Sequence, residues 1–279
     1  MTQRFSCEFQ VQTDNEMNLC DLLHQRTGLS KAQIKRALQH GACQMQRSGL
    51  KKNIRIRRAK ATIHKGDLIS FHYNQEILAL RLPPPKLIAD CTQYTVWDKP
   101  AGMLSQGTQF ADHCSILRHV EILFKNKRQV YLVHRLDREA SGLILLAHNK
   151  KTAALFSDLF QKHRIQKIYL VEVLGNLQTE NLNHAGLIST PLDGTSAETA
   201  FSVLSYSSAT NTSKITVEIN SGRYHQIRRH FDSIDHPVIG DPKYGTGNKN
   251  TKGLRLRAIG LSFTCPISHK RMDYRVEGM

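Results

Sequence analysis

The chain lacks regular cysteine spacing, long apolar runs and an acidic complement to match its basic one. Six cysteines (Cys7, Cys20, Cys43, Cys91, Cys114 and Cys265) are scattered, with no Cys-x-x-Cys pair among them. In a chain of 279 residues that pattern argues for free thiols in a reducing cytoplasm, against a disulfide scaffold or structural zinc. The opening residues, Met1-Thr2-Gln3-Arg4-Phe5-Ser6-Cys7, carry no apolar segment of the secretory kind, and no stretch approaches bilayer-spanning length. A soluble, cytoplasmic protein without membrane partners is expected. Histidine is plentiful, but no close His/Cys constellation forms a metal site; His24, His40, His64 and His72 read as solvated or singly hydrogen-bonded residues.

What is abundant is positive charge. Lys and Arg number 39 against 23 for Asp and Glu, an excess of 16. Such an excess favours a polyanionic partner, RNA or DNA before a membrane surface. Charge alone does not say whether that partner is a substrate or a docking surface.

The basic residues gather first over 15–75. Leu19, Leu22 and Leu23 recur at helical spacing, and Thr27-Gly28 closes that segment. Ser30 is a cap for a second helix over 31–40, with Ile34, Ala37 and Leu38 inward and Gly41 as its stop. Lys31, Lys35 and Arg36 then fall on the outer side. A very basic stretch over 47–60 follows, then the alternating Ile63-His64-Lys65-Gly66-Asp67-Leu68-Ile69-Ser70-Phe71. Two short helices followed by hairpin strands resemble the alpha-L RNA-binding module of a ribosomal small-subunit protein, although that module has a compact hairpin where this chain has its Lys/Arg-rich insert. The alternative is a basic, solvated appendage; phosphate neutralisation gives the clustering a purpose. Pro83-Pro84-Pro85-Lys86 marks a stiff spacer. The expected organisation is therefore a module over 15–75, a proline-rich linker over 76–87 and a catalytic domain over 88–279.

In the second domain, strand-like and helix-like pieces alternate: strands over 94–97, 130–136, 142–147, 167–174, 213–220 and 254–263, and helices over 115–124, 149–163 and from 223 onward. The class expected is α+β, a mixed, mainly antiparallel sheet domain preceded by a small α/β RNA-binding domain. Between Tyr131-Leu132-Val133 and Leu143-Ile144-Leu145-Leu146 lies His134-Arg135-Leu136-Asp137-Arg138-Glu139-Ala140-Ser141-Gly142, five ionisable groups held between apolar flanks. This is either a charged turn or a loop on which a rigid scaffold presents reactive groups. Lys167 and Tyr169 share one strand face, and Arg223-Tyr224-His225-Gln226-Ile227-Arg228 adds a third polar cluster.

Together these residues resemble the RluA family of RNA pseudouridine synthases. His134-Arg135-Leu136-Asp137 with Ser141-Gly142-Leu143-Ile144-Leu145-Leu146, then Lys167-Ile168-Tyr169, Gly222-Arg223-Tyr224-His225-Gln226-Ile227-Arg228 and His236-Pro237-Val238-Ile239-Gly240-Asp241, follow that family's motifs in order, after Asp98-Lys99-Pro100-Ala101-Gly102. The resemblance implies conversion of uridine to pseudouridine, with Asp137 as carboxylate nucleophile, Arg228 as its cationic partner and Tyr169 stacked on the target base. A carboxylate in a partly dry pocket needs such a partner to stay ionised. Taken bare, Arg228 also reads as a phosphate contact, and Tyr169 as a core or rim residue. The target uridine has to leave its stack; Arg135 resembles the arginine that fills the vacated space. Lys99 and Arg223 are assigned to RNA contact or architecture, and Lys31, Lys35 and Arg36 to RNA contact. No metal or organic cofactor is called for. The chain departs from the family pattern at Asp98 (usually Asn), Ala140 (commonly Thr) and Arg229 (usually apolar).

RNA is thus the expected partner, ribosomal before transfer RNA, and a monomer the expected state. The competing reading is a catalytically silent RNA-binding or ribosome-assembly protein on the same scaffold. A glycosidic hydrolase is disfavoured, because no second acid joins Asp137 in a motif. Removing the basic module is expected to weaken RNA binding and flatten its dependence on salt, measured as the slope of log affinity against log salt concentration.

Overall fold

The computed structural model describes residues 3–12, 18–177 and 185–278. One unit takes Met1–Leu82 with Gln106–Ile122, the other Pro83–Ser105 with Leu123–Met279.

The first unit contains β1 (Arg4–Gln10), α1 (Leu19–Thr27), α2 (Lys31–Gln39), β2 (Cys43–Gln46), β3 (Asn53–Arg55), β4 (Leu68–Asn74), α3 (Gln75–Ala79) and nearly all of α4 (Ile116–Leu123). Its antiparallel sheet runs β1-β4-β2-β3. Each of the first two helices begins where the sequence supplies a cap. Asn18 accepts from Asp21 N–H at the start of α1, and Ser30 and Gln33 form a reciprocal capping box on α2. Gly28, at φ 70°, ends α1 in the left-handed conformation that a side chain resists. The inward residues Leu19, Leu23, Ile34 and Leu38 join Met45, Ile69 and Phe71 in one core. The first residues of the expected module, 15–17, lie outside the described residues; β1, upstream of them, is part of the sheet.

The unit is not continuous in sequence. Ala111 is buried in its core, Asp112 N–H donates to His40 O at 3.0 Å, and the Asp112 carboxylate takes both Nη atoms of Arg57. The basic stretch is only partly solvated. Arg47 donates to Asp67 Oδ2 at 2.6 Å, and Ser48 N–H and His64 N–H donate to the same carboxylate, so Asp67 closes the loop from within. Lys51, Lys52, Arg58 and Lys60 are exposed.

The second unit holds β5 (Lys86–Asp90), β6 (Tyr94–Lys99), β7 (Tyr131–Leu132), β8 (Ser141–Ala147), α5 (Lys150–Gln161), β9 (Gln166–Leu174), β10 (Ala185–Ile188), β11 (Thr199–Ser207), β12 (Thr212–Ile219), α6 (Gln226–Asp232), β13 (Leu256–Thr264) and β14 (Arg271–Arg275). The sheet order is β10-β11-β12-β9-β13-β8-β6-β5, with β14 added to β13 and β7 to β8. Only β8 and β13 pair in parallel among the described strands, so the sheet is mixed and mainly antiparallel, as its alternating pattern implies. Ser141-Gly142-Leu143-Ile144-Leu145-Leu146-Ala147 is a continuous apolar run because β8 is buried on both faces. At the parallel contact, Gly142 sits at φ 107° opposite Ala258, and a Cβ there would collide with the Ala258 backbone. Asn149 caps α5, whose Phe156 packs with Tyr94, Leu143, Leu145 and Phe263.

Three local expectations shift. Of the stretch 130–136 only Tyr131 and Leu132 pair with β8, because Leu136 has its backbone engaged elsewhere. α6 starts at Gln226, not at Arg223. Lys86–Asp90, partly inside the expected linker, is an edge strand; three prolines just ahead of it are tolerated because no neighbour needs their N–H groups. No helix among the described residues is long and apolar enough to cross a membrane.

Deleting everything ahead of Pro83 would strip residues 106–122 of their partners, so the salt test is better made in place. Replacing Lys51, Lys52, Arg58 and Lys60 with Gln is expected to lower the salt slope for RNA binding by up to roughly 3–4, at about 0.9 for each phosphate no longer neutralised.

Candidate active site

The loop over 133–140 is held mainly through its backbone. Ser105 Oγ donates to Leu136 O at 2.7 Å and accepts from Leu136 N–H at 3.0 Å, closing both polar groups of the residue before Asp137. Lys99 is 0 % exposed; its ammonium donates to Ala140 O (2.6 Å), Met103 O (2.7 Å), Pro100 O (3.2 Å) and Arg138 O (3.3 Å). Burial pulls the Lys99 pKa down to about 7, against the opposing pull of Glu139, Asp137 and Asp98. Gly102 N–H adds a bond to Arg138 O at 2.8 Å. At the loop's entry, His134 Nε2 accepts from Leu145 N–H at 2.9 Å while its ring stacks on Phe160. That bond requires a neutral imidazole; burial, then the Lys167 charge, push the His134 pKa from 6.5 to about 3.

Facing this loop is the turn from β12 into α6. Gln226 clamps it: its Oε1 accepts from Ser221 Oγ (2.7 Å) and Arg223 N–H (3.0 Å), and its Nε2 donates to Glu198 O (2.8 Å). Lys167 donates to Ser221 O at 2.9 Å from beneath. The turn ends at His225, which takes the left-handed conformation, φ 53°, and starts α6. One turn into the helix, Arg228 is 1 % exposed and bridges two carboxylates. Its Nε and Nη2 meet Asp241 at 2.6 and 2.7 Å; its Nη1 meets Asp137 Oδ2 at 3.0 Å. Burial opposes the charge on Arg228, yet the bonds to Asp241 and Asp137 outweigh it and hold its pKa above the ordinary arginine value. Asp241, 0 % exposed in its side chain, also accepts N–H bonds from Lys243 and Tyr244. Burial raises its pKa, but those bonds and Arg228 leave it below the usual carboxylate range.

Between loop and turn lies an open cleft, lined by Arg135, Asp137, Tyr169, His225 and Arg228 among others. Tyr169, on β9 between Val217 and Ala258, is 8 % exposed, and burial together with the Asp137 charge raises its pKa. His225 Nε2 is 3.8 Å from Asp137 Oδ2, and its Nδ1 is 3.1 Å from Tyr244 Oη. The arrangement offers a carboxylate with a fixed cation, an aromatic wall and a buried phenol.

The cavity therefore brings together Asp137, Tyr169, Arg228, Arg135 and Arg223. Arg135 and Arg223 are exposed at its rim, Arg223 Nε bonding Ser196 O at 3.3 Å. Lys99 does not fit the expectation of RNA contact: all its donors serve carbonyls inside the protein, so it braces the loop and meets no phosphate. Burial likewise leaves Arg228 no face for a phosphate. In the first unit Lys31, Lys35 and Arg36 are exposed on α2; Lys31 pairs with Asp21 at 2.7 Å and Arg36 donates to Leu78 O. Sequence reasoning gave no role to Ser105 or Asp241. Asp241 lay inside a recognised motif, which was a signal; Ser105 offered none.

A family model described as RNA pseudouridylate synthase matches residues 93–233, about half the chain and most of this site. An uncharacterized RNA pseudouridine synthase of Mycoplasma genitalium is 31 % identical over 230 residues, covering 77 % of this chain and 72 % of that protein. The chain belongs to the RNA pseudouridylate synthase family. It is an RNA pseudouridine synthase, an isomerase of the RluA type that the motifs resemble. The dual-specificity RNA pseudouridine synthase RluA of Vibrio vulnificus is 30 % identical, covering 62 % of this chain and 74 % of the relative. The tRNA pseudouridine synthase C of Haemophilus ducreyi is 32 % identical, covering 61 % and 81 %. The human RNA pseudouridylate synthase domain containing 1 shares the fold, with a TM-score of 0.59 at 19 % identity over 71 % of this chain and 86 % of that one.

In this synthase Asp241→Asn removes the carboxylate that neutralises Arg228 in the interior. It is expected to cost roughly 3–5 kcal/mol in denaturant unfolding and to lower turnover while leaving RNA affinity nearly intact. The depressed His134 pKa sets an acid limb. The unfolded chain binds that proton first, so the stabilisation is complete above pH 6.5 and is lost as pH falls towards 3. His134→Gln keeps an acceptor for Leu145 N–H without titrating, and should flatten the limb in unfolding measured across that range.

Proposed function

We propose that this synthase isomerises specific uridines in structured RNA, large-subunit ribosomal RNA before transfer RNA, with Asp137 as the nucleophilic carboxylate. The observation that carries the reading is the bridge by which Arg228 joins Asp137 to the buried Asp241 at the wall of the cavity. Breaking the N-glycosidic bond places positive charge on the ribose, and a carboxylate can either bond to that carbon or stabilise the charge. Arg228 engages Oδ2 of Asp137, and among the described residues no hydrogen bond is made to Oδ1, which is left for the sugar. The uracil then turns within the cavity so that carbon 5 meets the ribose.

Tyr169 is assigned to stacking on that ring. Its raised pKa keeps the phenol protonated at neutral pH, so it takes the carbon-5 proton only if its own has somewhere to go. A base inside a helix is out of reach of such a cavity, so the nucleotide is flipped, with the exposed Arg135 entering the space it leaves. The exposed Lys and Arg of the first unit, read as an alpha-L type module, supply phosphate contacts. This second anchoring surface is what favours ribosomal RNA. The Haemophilus ducreyi relative is named for transfer RNA, which makes that class the second substrate to offer. The synthase is taken to act as a monomer and without a cofactor.

The test is release of tritium from carbon-5-labelled uridine in bulk ribosomal and transfer RNA. Wild type is expected to release it, and Asp137→Asn to lower the rate by roughly 10⁴-fold or more, as for loss of other enzyme nucleophiles. Equal rates would remove Asp137 from the chemistry. Release from transfer RNA alone would reverse the substrate order, and no release from either would favour a silent RNA-binding protein.

A further inference from the structure

Tyr224 is a large aromatic side chain that remains 59 % exposed beside the catalytic cavity. It is not loosely placed. Its ring stacks on His225 with centroids 3.7 Å apart and planes 21° from parallel. His225 in turn bonds Tyr244 Oη and stands 3.8 Å from Asp137. The turn carrying Tyr224 is fixed from below by the Gln226 and Lys167 bonds to residues 221 and 223. Arg229 Nη1 reaches Tyr224 O at 3.5 Å while the same guanidinium pairs with Asp193. The exposed Lys243 brings its ammonium to 5.5 Å from the Tyr224 centroid and 5.2 Å from that of Tyr244.

We infer that Tyr224, mounted on His225 and flanked by Lys243, is a platform on which the base next to the target uridine stacks. The inference rests on the reading of Asp137 as the group that meets the target ribose. His225 lies between the two, 3.8 Å from Asp137 on one side and stacked at 3.7 Å on Tyr224 on the other, so the outer ring stands one residue beyond the group assigned to the target ribose. Flipping the uridine deprives the adjacent base of a stacking partner, and an aromatic ring on a rigid mount replaces it. Such stacking is tolerant of sequence because every base has a π-face, while an adjacent ammonium serves the phosphate. A ring that merely covered His225 would need neither its exposure nor the cation beside it.

The experiment compares Tyr224→Ala, Tyr224→Leu, Tyr224→Phe and Tyr224→Trp in the full-length protein, with tritium-labelled bulk ribosomal and transfer RNA as probes. Tyr224→Ala and Tyr224→Leu are expected to raise KM by roughly 5- to 150-fold, the worth of one stacked base, with kcat changed little. Tyr224→Phe keeps the ring and should match wild type. Tyr224→Trp adds a spectroscopic reading, because Trp97 is the chain's one other tryptophan and is buried; the introduced indole should be quenched when RNA binds. An unchanged KM in Tyr224→Ala, or equal performance by Leu and Phe, overturns the platform, as does a fall in kcat alone. Asp137→Asn is run beside them. Its retained activity would defeat the assignment of Asp137, whereas the indole quench reports the platform by itself.

Discussion

One buried guanidinium sets the terms for the second unit. Arg228 is closed off from water on α6, and such a charge is tolerated only when its donors are answered within the fold. Asp241 answers two of them, but Asp241 is itself wholly buried and brings its own desolvation cost. The N–H groups of Lys243 and Tyr244 take up part of that cost, so the segment after β12 and α6 is shaped to deliver them. Asp137 completes the set from a different part of the chain. Helix, turn and loop are thereby fixed to one another by a group that touches no solvent, and the cavity wall inherits that rigidity.

The parts of this arrangement that were legible in the sequence are those whose signals are local. Ser30 announces α2, Asn149 announces α5, and an apolar run ending at Ala147 announces a central strand. The residues around Asp137, Tyr169 and Arg228 were legible through their order as motifs. What could not be read is where long side chains end. Lys99 ends a strand and precedes a Pro-Ala-Gly turn, the position of a rim cation, yet its nearest partner is a carbonyl 41 residues away. Ser105 meets Leu136 across 31 residues, and Asp112 meets Arg57 across 55. Propensity and periodicity carry no term for such pairings. The same limit explains why residues 106–122, with a helix and a charged loop of ordinary appearance, gave no sign of belonging to the first unit.

The departures from the family pattern find partners of the same long-range kind. Asp98 introduces a carboxylate where an amide is usual, and Arg257 Nη2 donates to it at 2.7 Å from a strand 159 residues later. Arg229, in place of an apolar residue, forks onto Asp193 with bonds of 2.8 and 3.0 Å. Ala140 loses a hydroxyl, but the loop is braced through its carbonyl, which accepts from Lys99. Because Lys99, Ser105 and Gly102 all grip backbone atoms, the loop's shape depends little on which side chains its middle residues carry. A carboxylate can be presented there while its neighbours vary.

How the two carboxylates share Arg228 bears on the chemistry proposed for Asp137. Asp241 receives two guanidinium bonds and two backbone N–H bonds; Asp137 receives one guanidinium bond, on one oxygen. A carboxylate held in the fork of an arginine has both oxygens engaged and its charge spent, which suits a structural anchor. A carboxylate that touches the same cation through one oxygen keeps the other for a developing positive centre. The division therefore runs with exposure: the wholly buried Asp241 is the one neutralised, and Asp137, whose side chain is 25 % exposed at the cavity, is the one with an oxygen free for the role proposed for it. Reversing it would bury the proposed nucleophile beyond reach of a ribose and leave a saturated carboxylate facing it.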